Sequence, residues 1–353
     1  MKKFLALLLA LTMALALVAC GGGNDSSDTA TSGGDSESGF EPMTWKFACS
    51  ATETSPWVDG AKEFARIVGE KTGGAITVQY YPADQLTAGG QTDGIQALMD
   101  GTTELSMHSN LIWSSFDQRF NVVSLPFLFD SVEEADAALD GAGGQALGEI
   151  LESEYNVHLL GIAENGFRHI TNSKHAVTSL ADMENLKIRV AGSQLLNRSY
   201  ELWGADYTNA NWSEVFTALQ TGTYDGQENP LPTADAASIQ EVQSYLTYWT
   251  GAYDCLFFCM NADLYNSLSP ELQAIVDEAG QQACVYEREL NRGQDQEIMD
   301  KWAEAGVEVT ELSADAAAEF AEASAPVYDE FADELTPELI EAFTSVTQAD
   351  NAA

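Results

Sequence analysis

The chain has 353 residues, of which 55 are acidic and 15 are basic, so its formal charge at pH 7 is −40. This excess of negative charge excludes nucleic acid and anionic lipid headgroups as partners of its general surface. Five of the basic residues fall between residues 166 and 254, where an anionic ligand meets a relatively positive stretch: Arg168, Lys174, Lys187, Arg189 and Arg198.

The N-terminus has the pattern of a secretory signal peptide that ends in a lipobox. Lys2 and Lys3 precede an apolar run, which closes with the sequence LVAC at residues 17–20. The run is too short, and its downstream flank too polar, for a permanent membrane span. We therefore predict removal of residues 1–19 and attachment of diacylglycerol to the sulfur of Cys20. A signal peptide that is cleaved without lipid attachment is the alternative.

The segment after the signal peptide is too polar to fold. Residues 21–39 are Gly, Ser, Asp, Thr and Asn with almost no apolar side chain, which predicts a flexible tether over residues 20–43. The mature chain then has 13 basic and 55 acidic residues, for a formal charge of −42. We expect an extracytoplasmic protein that is held to a membrane by its lipid alone, in the periplasm or on the outer face of the cytoplasmic membrane.

Four cysteines remain after lipidation: Cys49, Cys255, Cys259 and Cys284. An even number permits disulfides in an exported protein. Cys255 and Cys259 lie four residues apart in a predicted strand, however, which is too far for them to bridge each other. We favour buried free thiols over disulfides, and a metal site is less favoured still because no His lies near any Cys.

Apolar spacing predicts alternating strands and helices, which indicates an α/β protein with parallel strands and two lobes. In chain order, the predicted elements are a helix that starts at Ser55 and Pro56 and ends at Gly73, a strand at 76–80, a helix at 91–99, a buried strand at 105–107, a strand at 122–129 with Pro126 at its end or edge, a helix at 132–154, a strand at 157–163, a strand at 187–190 and an apolar strand around Cys255 and Cys259.

The stretch 270–305 predicts a very long helix, with Ser269 as its cap and Gly306 as its end. At ~1.5 Å per residue it would reach roughly 54 Å, enough to brace two lobes along one side. Gly280 and Gly293 are alternative points at which this helix can break.

Three motifs place guanidinium groups and an amide at fixed intervals: GFR at 166–168, LKIRV at 186–190 and DGQENP at 225–230. A guanidinium on a strand presents a rigid fork that matches two carboxylate oxygens, so the pattern suggests a carboxylate site. Together with EVFTALQTG at 214–222, these motifs resemble the solute-binding proteins of tripartite ATP-independent periplasmic (TRAP) transporters over residues 45–305.

The resemblance implies a two-lobed, periplasmic-binding-protein-like α/β fold with a long helix that spans both lobes. It implies lobe one at residues 44–165 and 255–293, and lobe two at residues 166–254 and 294–345. It also implies a small carboxylate as ligand and the subunits of a TRAP membrane permease as partners.

The resemblance assigns ligand contacts to four residues of lobe two. Arg189 matches the arginine that binds the ligand carboxylate, and Asn229 matches an asparagine that reaches the same group. An exposed strand arginine and an asparagine that bonds its own turn are the respective alternatives. Arg168 matches an arginine that contacts the ligand in some members, with structural pairing as its alternative. Trp212 matches an aromatic residue that covers the ligand. The alternative is that the Trp212 ring packs against the sheet.

Two departures from the family pattern leave the shape of neighbouring loops open: Asn209, Ala210 and Asn211 replace the usual prolines, and Ala191 replaces the proline that follows Arg189 and Val190. From lobe one, polar and aromatic side chains follow predicted strand ends, where parallel sheets present binding loops. We expect these residues to tune selectivity: Gln85, Asn110 and Trp113, together with His108 and Ser109.

No catalytic, metal or cofactor site is predicted. None of the four histidines has a neighbour at nucleophile or metal-ligand spacing, and no Gly-rich phosphate loop follows a strand. We interpret the chain as a binding protein that captures a small organic acid between two lobes and presents it to a permease for ion-coupled uptake. The alternatives are a binding subunit of another importer, a sensor, or an exported lipoprotein hydrolase.

Overall fold

Two β-sheets organise the computed structural model, which describes residues 39–350. The first sheet contains β1 (Met43–Cys49), β2 (Ile76–Tyr81), β3 (Leu105–Ser109), β4 (Val157–Phe167) and β10 (Tyr253–Asn261). The second sheet contains β5 (His169–Asn172), β6 (Lys187–Val190), β7 (Asp206–Asn209), β8 (Gly226–Asn229), β9 (Tyr245–Tyr248) and β11 (Glu308–Glu311). We call the parts built on these sheets lobe one and lobe two. The predicted α/β class is confirmed.

The strand orders are β2-β1-β3-β10-β4 and β11-β9-β5-β8-β6-β7. β1 pairs in parallel with β2 and β3, whereas β10 is antiparallel to β3 and β4. The chain passes from lobe one to lobe two between β4 and β5, and returns between β9 and β10. Arg168 is the single residue between β4 and β5, so it lies at the junction of the lobes.

Helices surround both sheets. They are α1 (Pro56–Lys71), α2 (Gln91–Met99), α3 (Asn110–Trp113), α4 (Val132–Leu139), α5 (Ala142–Glu154), α6 (Gln194–Leu202), α7 (Trp212–Gln220), α8 (Leu231–Ala236), α9 (Ala262–Ser267), α10 (Pro270–Arg292), α11 (Asp295–Glu304), α12 (Ala314–Ser324), α13 (Pro326–Glu330), α14 (Ala332–Leu335) and α15 (Pro337–Asp350). No helix among residues 39–350 has both the length and the apolar character of a membrane span. The predicted signal peptide and Cys20 lie outside the described residues.

Strand β10 carries apolar side chains on both of its faces because both are buried. Cys255, Phe257 and Cys259 point into a core that extends into lobe two. The alternate residues of the same strand join the core between lobe one, α1 and α10. All four cysteines of the described residues are buried as free thiols.

The predicted helix at 270–305 is two helices in the structure. α10 begins after Ser269, whose hydroxyl accepts from the Leu272 amide at 3.2 Å, and it ends at Gly293. α10 packs on α1 and β4 in lobe one, and α11 packs on α8 and β11 in lobe two. The bracing of both lobes therefore comes from two consecutive helices, and Gly293 is the break.

Four other sequence predictions differ in detail from the structure. The predicted helix at 132–154 is split at Gly141 into α4 and α5, and the predicted strand at 122–129 is instead a 3-10 helix followed by irregular chain. Ser55 precedes α1, but its hydroxyl makes no capping bond. The C-terminal helix α15 packs on α4 and α5, so it lies with lobe one, whereas residues 294–345 were expected in lobe two.

Gly280 does not break α10. It instead allows this helix to lie close to strand β4. A Cβ atom at this position would lie 2.6 Å from Leu160 Cβ and 2.9 Å from the Leu160 carbonyl oxygen. Both distances are below van der Waals contact, and neither atom lies at a flexible side-chain end. Glycine therefore lets α10 lie directly on β4.

We predict that Gly280→Ala destabilises the protein, because overpacking costs about 1–3 kcal/mol while alanine gains only about 1 kcal/mol in helix propensity. Denaturant unfolding measures the change. Gly293→Ala is the matched control, since its nearest neighbour would be the Glu289 carbonyl oxygen at an ordinary 3.5 Å. Equal stability of the two variants would contradict the close-packing role of Gly280.

Candidate functional site

A small cavity lies where the strand ends of both lobes meet. Lobe one contributes the residues that follow β1 and end β3, and lobe two contributes parts of β6 and β8. The residues that line the cavity are Ser50, Ala51, Trp57, Gln91, Ser109, Ile112, Asn165, Arg168, Arg189, Ala191, Trp212, Asn229, Thr233 and Asp254.

Arg168 is buried and fully engaged by acidic groups. Its Nε bonds to the Glu228 carboxylate, and its Nη1 bonds to the Asp254 carboxylate. Its Nη2 donates to the Glu228 carbonyl oxygen at 2.8 Å and to Glu228 Oε1 at 2.9 Å. Burial alone would lower the pKa of Arg168, but the charges of Glu228 and Asp254 outweigh burial and hold the pKa above its ordinary value.

The two carboxylates extend this network along the cavity wall. Asp254 accepts from Ser109 Oγ at 2.7 Å and from Asn165 Nδ2 at 2.7 Å, and Asn165 Oδ1 in turn accepts from Thr233 Oγ1 at 2.6 Å. Glu228 Oε1 also accepts from the Ala191 amide at 3.0 Å. Because Glu228 belongs to lobe two and Asp254 to lobe one, the network connects the lobes behind the cavity.

Arg189 is also buried but has no acidic partner. Its Nε and Nη2 donate to the Ala210 carbonyl oxygen at 3.0 and 2.6 Å, and its guanidinium carbon lies 5.6 Å from the centre of the Trp212 ring. Within residues 39–350, no carboxylate lies within 4.0 Å of its nitrogens. Burial lowers the pKa of Arg189 to about 10, which leaves the group protonated at neutral pH.

Asn229 and Trp212 complete the set of predicted residues that line the cavity. Asn229 ends β8, and its Nδ2 donates to Gln227 Oε1 at 2.9 Å. Trp212 is half-buried and is the first residue of α7, with Asn211 at the N-cap position. The structure thus brings Arg168, Arg189, Trp212 and Asn229 to one cavity.

The structure does not bring Gln85, Asn110 or Trp113 to the cavity lining. Gln85 is exposed in a 3-10 turn. Asn110 is fully buried, donates to the Phe120 carbonyl oxygen at 3.0 Å and accepts from the Cys255 amide at 3.0 Å. Trp113 is fully buried against aromatic rings of the core. These three positions therefore do not enter our proposals.

Two other expectations from strand ends have different outcomes. Ser109 lines the cavity through the bond to Asp254 described above, whereas His108 is buried 3.4 Å from Asp84 and is not part of the lining. His169, which follows Arg168 in the chain, accepts from the Trp249 amide at 3.2 Å through Nδ1. Burial lowers the pKa of His169 to about 3, so its ring is neutral.

Sequence reasoning missed several lining residues, above all Trp57, Gln91 and Asp254. Trp57 follows Ser55 and Pro56 at the start of the predicted first helix, and no role was predicted for it. Asp254 lies in an apolar strand, where a lone carboxylate is an unusual residue, and that contrast was the available signal. The described residues contain no group of three or more His, Cys, Asp or Glu side chains arranged to hold a metal ion.

Direct hydrogen bonds close the rim of the cavity between the lobes. The Trp212 amide donates to Gln91 Oε1 at 3.1 Å, and Ser213 Oγ donates to the Gly89 carbonyl oxygen at 3.2 Å. Away from the rim, a buried bond also joins the lobes, in which Ser193 Oγ donates to Asn121 Oδ1 at 2.7 Å. These contacts are made by protein groups alone.

Residues 47–335 match the family model described as bacterial extracellular solute-binding protein, family 7. The 2,3-diketo-L-gulonate-binding periplasmic protein YiaO of Escherichia coli (strain K12) is 31% identical over 274 residues, which cover 78% of this chain and 83% of that protein.

Solved structures of similar fold carry different acids. The sugar acid binding protein DctPAm of Advenella mimigardefordensis, in complex with galactonate, superposes with a TM-score of 0.84 at 29% identity, covering 88% of this chain and 99% of that one. A TRAP periplasmic solute binding protein of Sulfurospirillum deleyianum with bound succinate superposes with a TM-score of 0.80 at 27% identity, covering 87% and 100%. The predicted two-lobed fold is confirmed by these neighbours.

We predict that replacing the two buried arginines by methionine has different effects on the free energy of unfolding. Arg168→Met leaves Glu228 and Asp254 buried without a counter-charge, and we expect a loss of about 3–5 kcal/mol in the free energy of unfolding. Arg189→Met removes a buried charge that has no acidic partner, so we expect a change of less than about 1 kcal/mol or a gain.

Denaturant unfolding of the ligand-free protein measures both effects. Arg198→Met is the control, because Arg198 pairs with Glu330 in a partly exposed ion pair and such pairs contribute about 0–1 kcal/mol. An Arg189→Met variant as unstable as Arg168→Met would show that Arg189 has a structural role.

Proposed function

This chain belongs to the bacterial extracellular solute-binding proteins of family 7, and from that premise we propose that it captures a small organic acid through Arg189 and delivers it to a TRAP permease. The family predicted from the LKIRV and DGQENP motifs is confirmed. Membership favours this function over the alternatives of another importer, a sensor or a hydrolase.

The unpaired guanidinium of Arg189 is the observation that carries the proposal. A buried charge without a counter-ion is costly, and the ligand that best removes the cost is an anion with two oxygens for the guanidinium fork. Arg168 does not compete for this anion, because its guanidinium is already paired with the carboxylates of Glu228 and Asp254. The galactonate and succinate of the similar solved structures are carboxylates, which agrees with this chemistry.

The remaining cavity residues support capture of the acid between the lobes. Asn229 and Trp212 lie beside Arg189 in lobe two, and Trp57 and Ser109 face the same cavity from lobe one. A ligand in contact with both walls stabilises the closed arrangement relative to an open one, because only the closed arrangement makes all of its contacts. The closed form is the one that a permease would receive.

Delivery to a permease requires a location outside the cytoplasmic membrane, and the N-terminal sequence supports one. We propose that Cys20 carries the lipid and that the chain between Cys20 and β1 tethers the folded protein to the membrane. The predicted boundary at residue 43 is too late, because Met43 is the first residue of β1. The tether leaves the protein free to reach permease subunits in the same membrane.

We predict that carboxylates raise the melting temperature of the mature protein and that this effect depends on Arg189. The probes are galactonate and succinate, with galactitol and butane-1,4-diol as neutral counterparts, because a ligand that binds the folded state raises the melting temperature. Arg189→Met should lower the affinity for the bound acid by about 2–5 kcal/mol, where each ~1.4 kcal/mol is a factor of ten.

Arg189→Lys should restore only part of the affinity, since lysine keeps the charge but lacks the planar fork. Arg198→Met, outside the cavity, should bind like the wild type. Stabilisation by the neutral compounds alone, or unchanged acid binding in Arg189→Met, would overturn the proposed function.

We also predict that Cys20→Ala moves the expressed protein from the membrane fraction to the soluble fraction, because no diacylglycerol can be attached to alanine. Fractionation of bacterial cells with and without detergent measures the distribution. Cys49→Ala, which changes a buried cysteine of the folded part, should stay in the membrane fraction. Release of the wild-type protein without detergent would contradict the lipid anchor.

A further inference from the structure

The lobe-one wall of the cavity contains two buried polar atoms that no protein group satisfies. They are Ser50 Oγ and Trp57 Nε1, on side chains whose residues are 4% exposed. Among the described residues, several buried polar atoms lack a partner, but only these two belong to residues that line the cavity. Buried polar groups are nearly always hydrogen-bonded, so an unsatisfied pair on a cavity wall indicates a ligand that bonds there.

The chemistry of these atoms restricts the ligand group that they can bind. An indole N–H is a donor only, so Trp57 requires an acceptor oxygen, whereas the Ser50 hydroxyl both donates and accepts. Hydroxyl and carbonyl oxygens satisfy both groups without bringing a charge. A carboxylate would also accept hydrogen bonds from them. The choice between a neutral oxygen and a carboxylate therefore depends on the charges around the cavity.

The charges of the cavity suit one ligand carboxylate and not two. Arg189 is the cation without an acidic partner, and Arg168 is bonded to Glu228 and Asp254. The carboxylate of Asp254 also lines the cavity. A second ligand carboxylate would therefore be buried beside a like charge and without a free cation among the described residues.

We propose that Ser50 and Trp57 form a subsite for a hydroxyl or carbonyl oxygen of the ligand. The protein then selects small hydroxy- or oxo-substituted monocarboxylates over dicarboxylates of the same chain length. Arg189 binds the single carboxylate, and the lobe-one subsite distinguishes a substituted chain from a plain one. This inference rests on the proposed function, because it assumes that Arg189 holds the acid.

Calorimetry on the mature protein tests the subsite with two matched sets of acids. The four-carbon set is 2,3,4-trihydroxybutanoate, butanoate and succinate, and the six-carbon set is gluconate, hexanoate and adipate. In at least one set we expect the hydroxylated monocarboxylate to bind at least about tenfold more tightly than the other two, since the unsubstituted and dicarboxylic acids leave the donors unpaired or bring a second charge.

The variants assign that preference to the subsite. Trp57→Phe and Ser50→Ala should each reduce the ratio of affinities between the hydroxylated and the unsubstituted acid by about tenfold. Trp45→Phe is the matched control, because Trp45 is a buried tryptophan of the same core whose Nε1 also lacks a partner but which does not line the cavity. Ser50→Ala removes only one oxygen atom, so this variant still tests the subsite if the Trp57→Phe variant does not fold.

The outcomes separate this inference from the proposed function. Tighter binding of succinate or adipate, or an unchanged ratio in both variants, would overturn the subsite while acid binding through Arg189 stands. An effect of Trp45→Phe equal to that of Trp57→Phe would also overturn it, since the change would then come from the core. Absence of binding for all six acids would overturn the proposed function, and the subsite with it.

Discussion

The bonds of the buried Arg168 guanidinium to one carboxylate from each lobe are the interaction on which the rest of this structure depends. Glu228 in β8 and Asp254 in β10 can be buried only because Arg168 compensates their charges, and these carboxylates hold the polar groups on both sides of the cavity. Because Glu228 and Asp254 both bond to Arg168, neither carboxylate forms an ion pair with Arg189. Arg189 is therefore buried without a counter-charge, and that difference between two arginines makes one of them structural and the other available to a ligand.

The location of the available charge matters because the protein as a whole repels anions. The chain has a formal charge of −40 at pH 7, yet the family it belongs to includes relatives with bound carboxylates. At physiological ionic strength, surface charges are screened beyond about 8 Å, whereas a buried pair is screened much less. Under the proposed function, an acid therefore gains its attraction only after it has entered the cavity and lies next to Arg189. Recognition is then a property of the cavity and not of the surface field.

Local patterns in the sequence predicted the α/β class, the family and the cavity residues of lobe two. Arg189 and Asn229 were predictable through the resemblance of the LKIRV and DGQENP motifs to the family, whereas the local pattern alone also allowed an exposed strand arginine and an asparagine that bonds its own turn. Trp57 was not, because its local sequence is that of a helix start and its place in the cavity depends on the other lobe. Trp113 illustrates the reverse error: the end of a strand gives the correct edge of the sheet, but the packing of α3 turns this ring into the core. The helix break at Gly293 was ambiguous because α10 and α11 continue one apolar pattern while packing on different lobes.

The bond between Ser213 Oγ and the Gly89 carbonyl oxygen joins the lobes at residues that do not line the cavity. The bond of the Trp212 amide to Gln91 differs, because both of these residues line the cavity and a change at either can also alter selectivity. The free energy of the Ser213 bond enters the equilibrium between open and closed protein, and that equilibrium multiplies the dissociation constant of every ligand by the same factor. A change at Ser213 therefore rescales all affinities together and leaves their ranking intact. Retention of the solute can vary at this bond without altering discrimination among solutes.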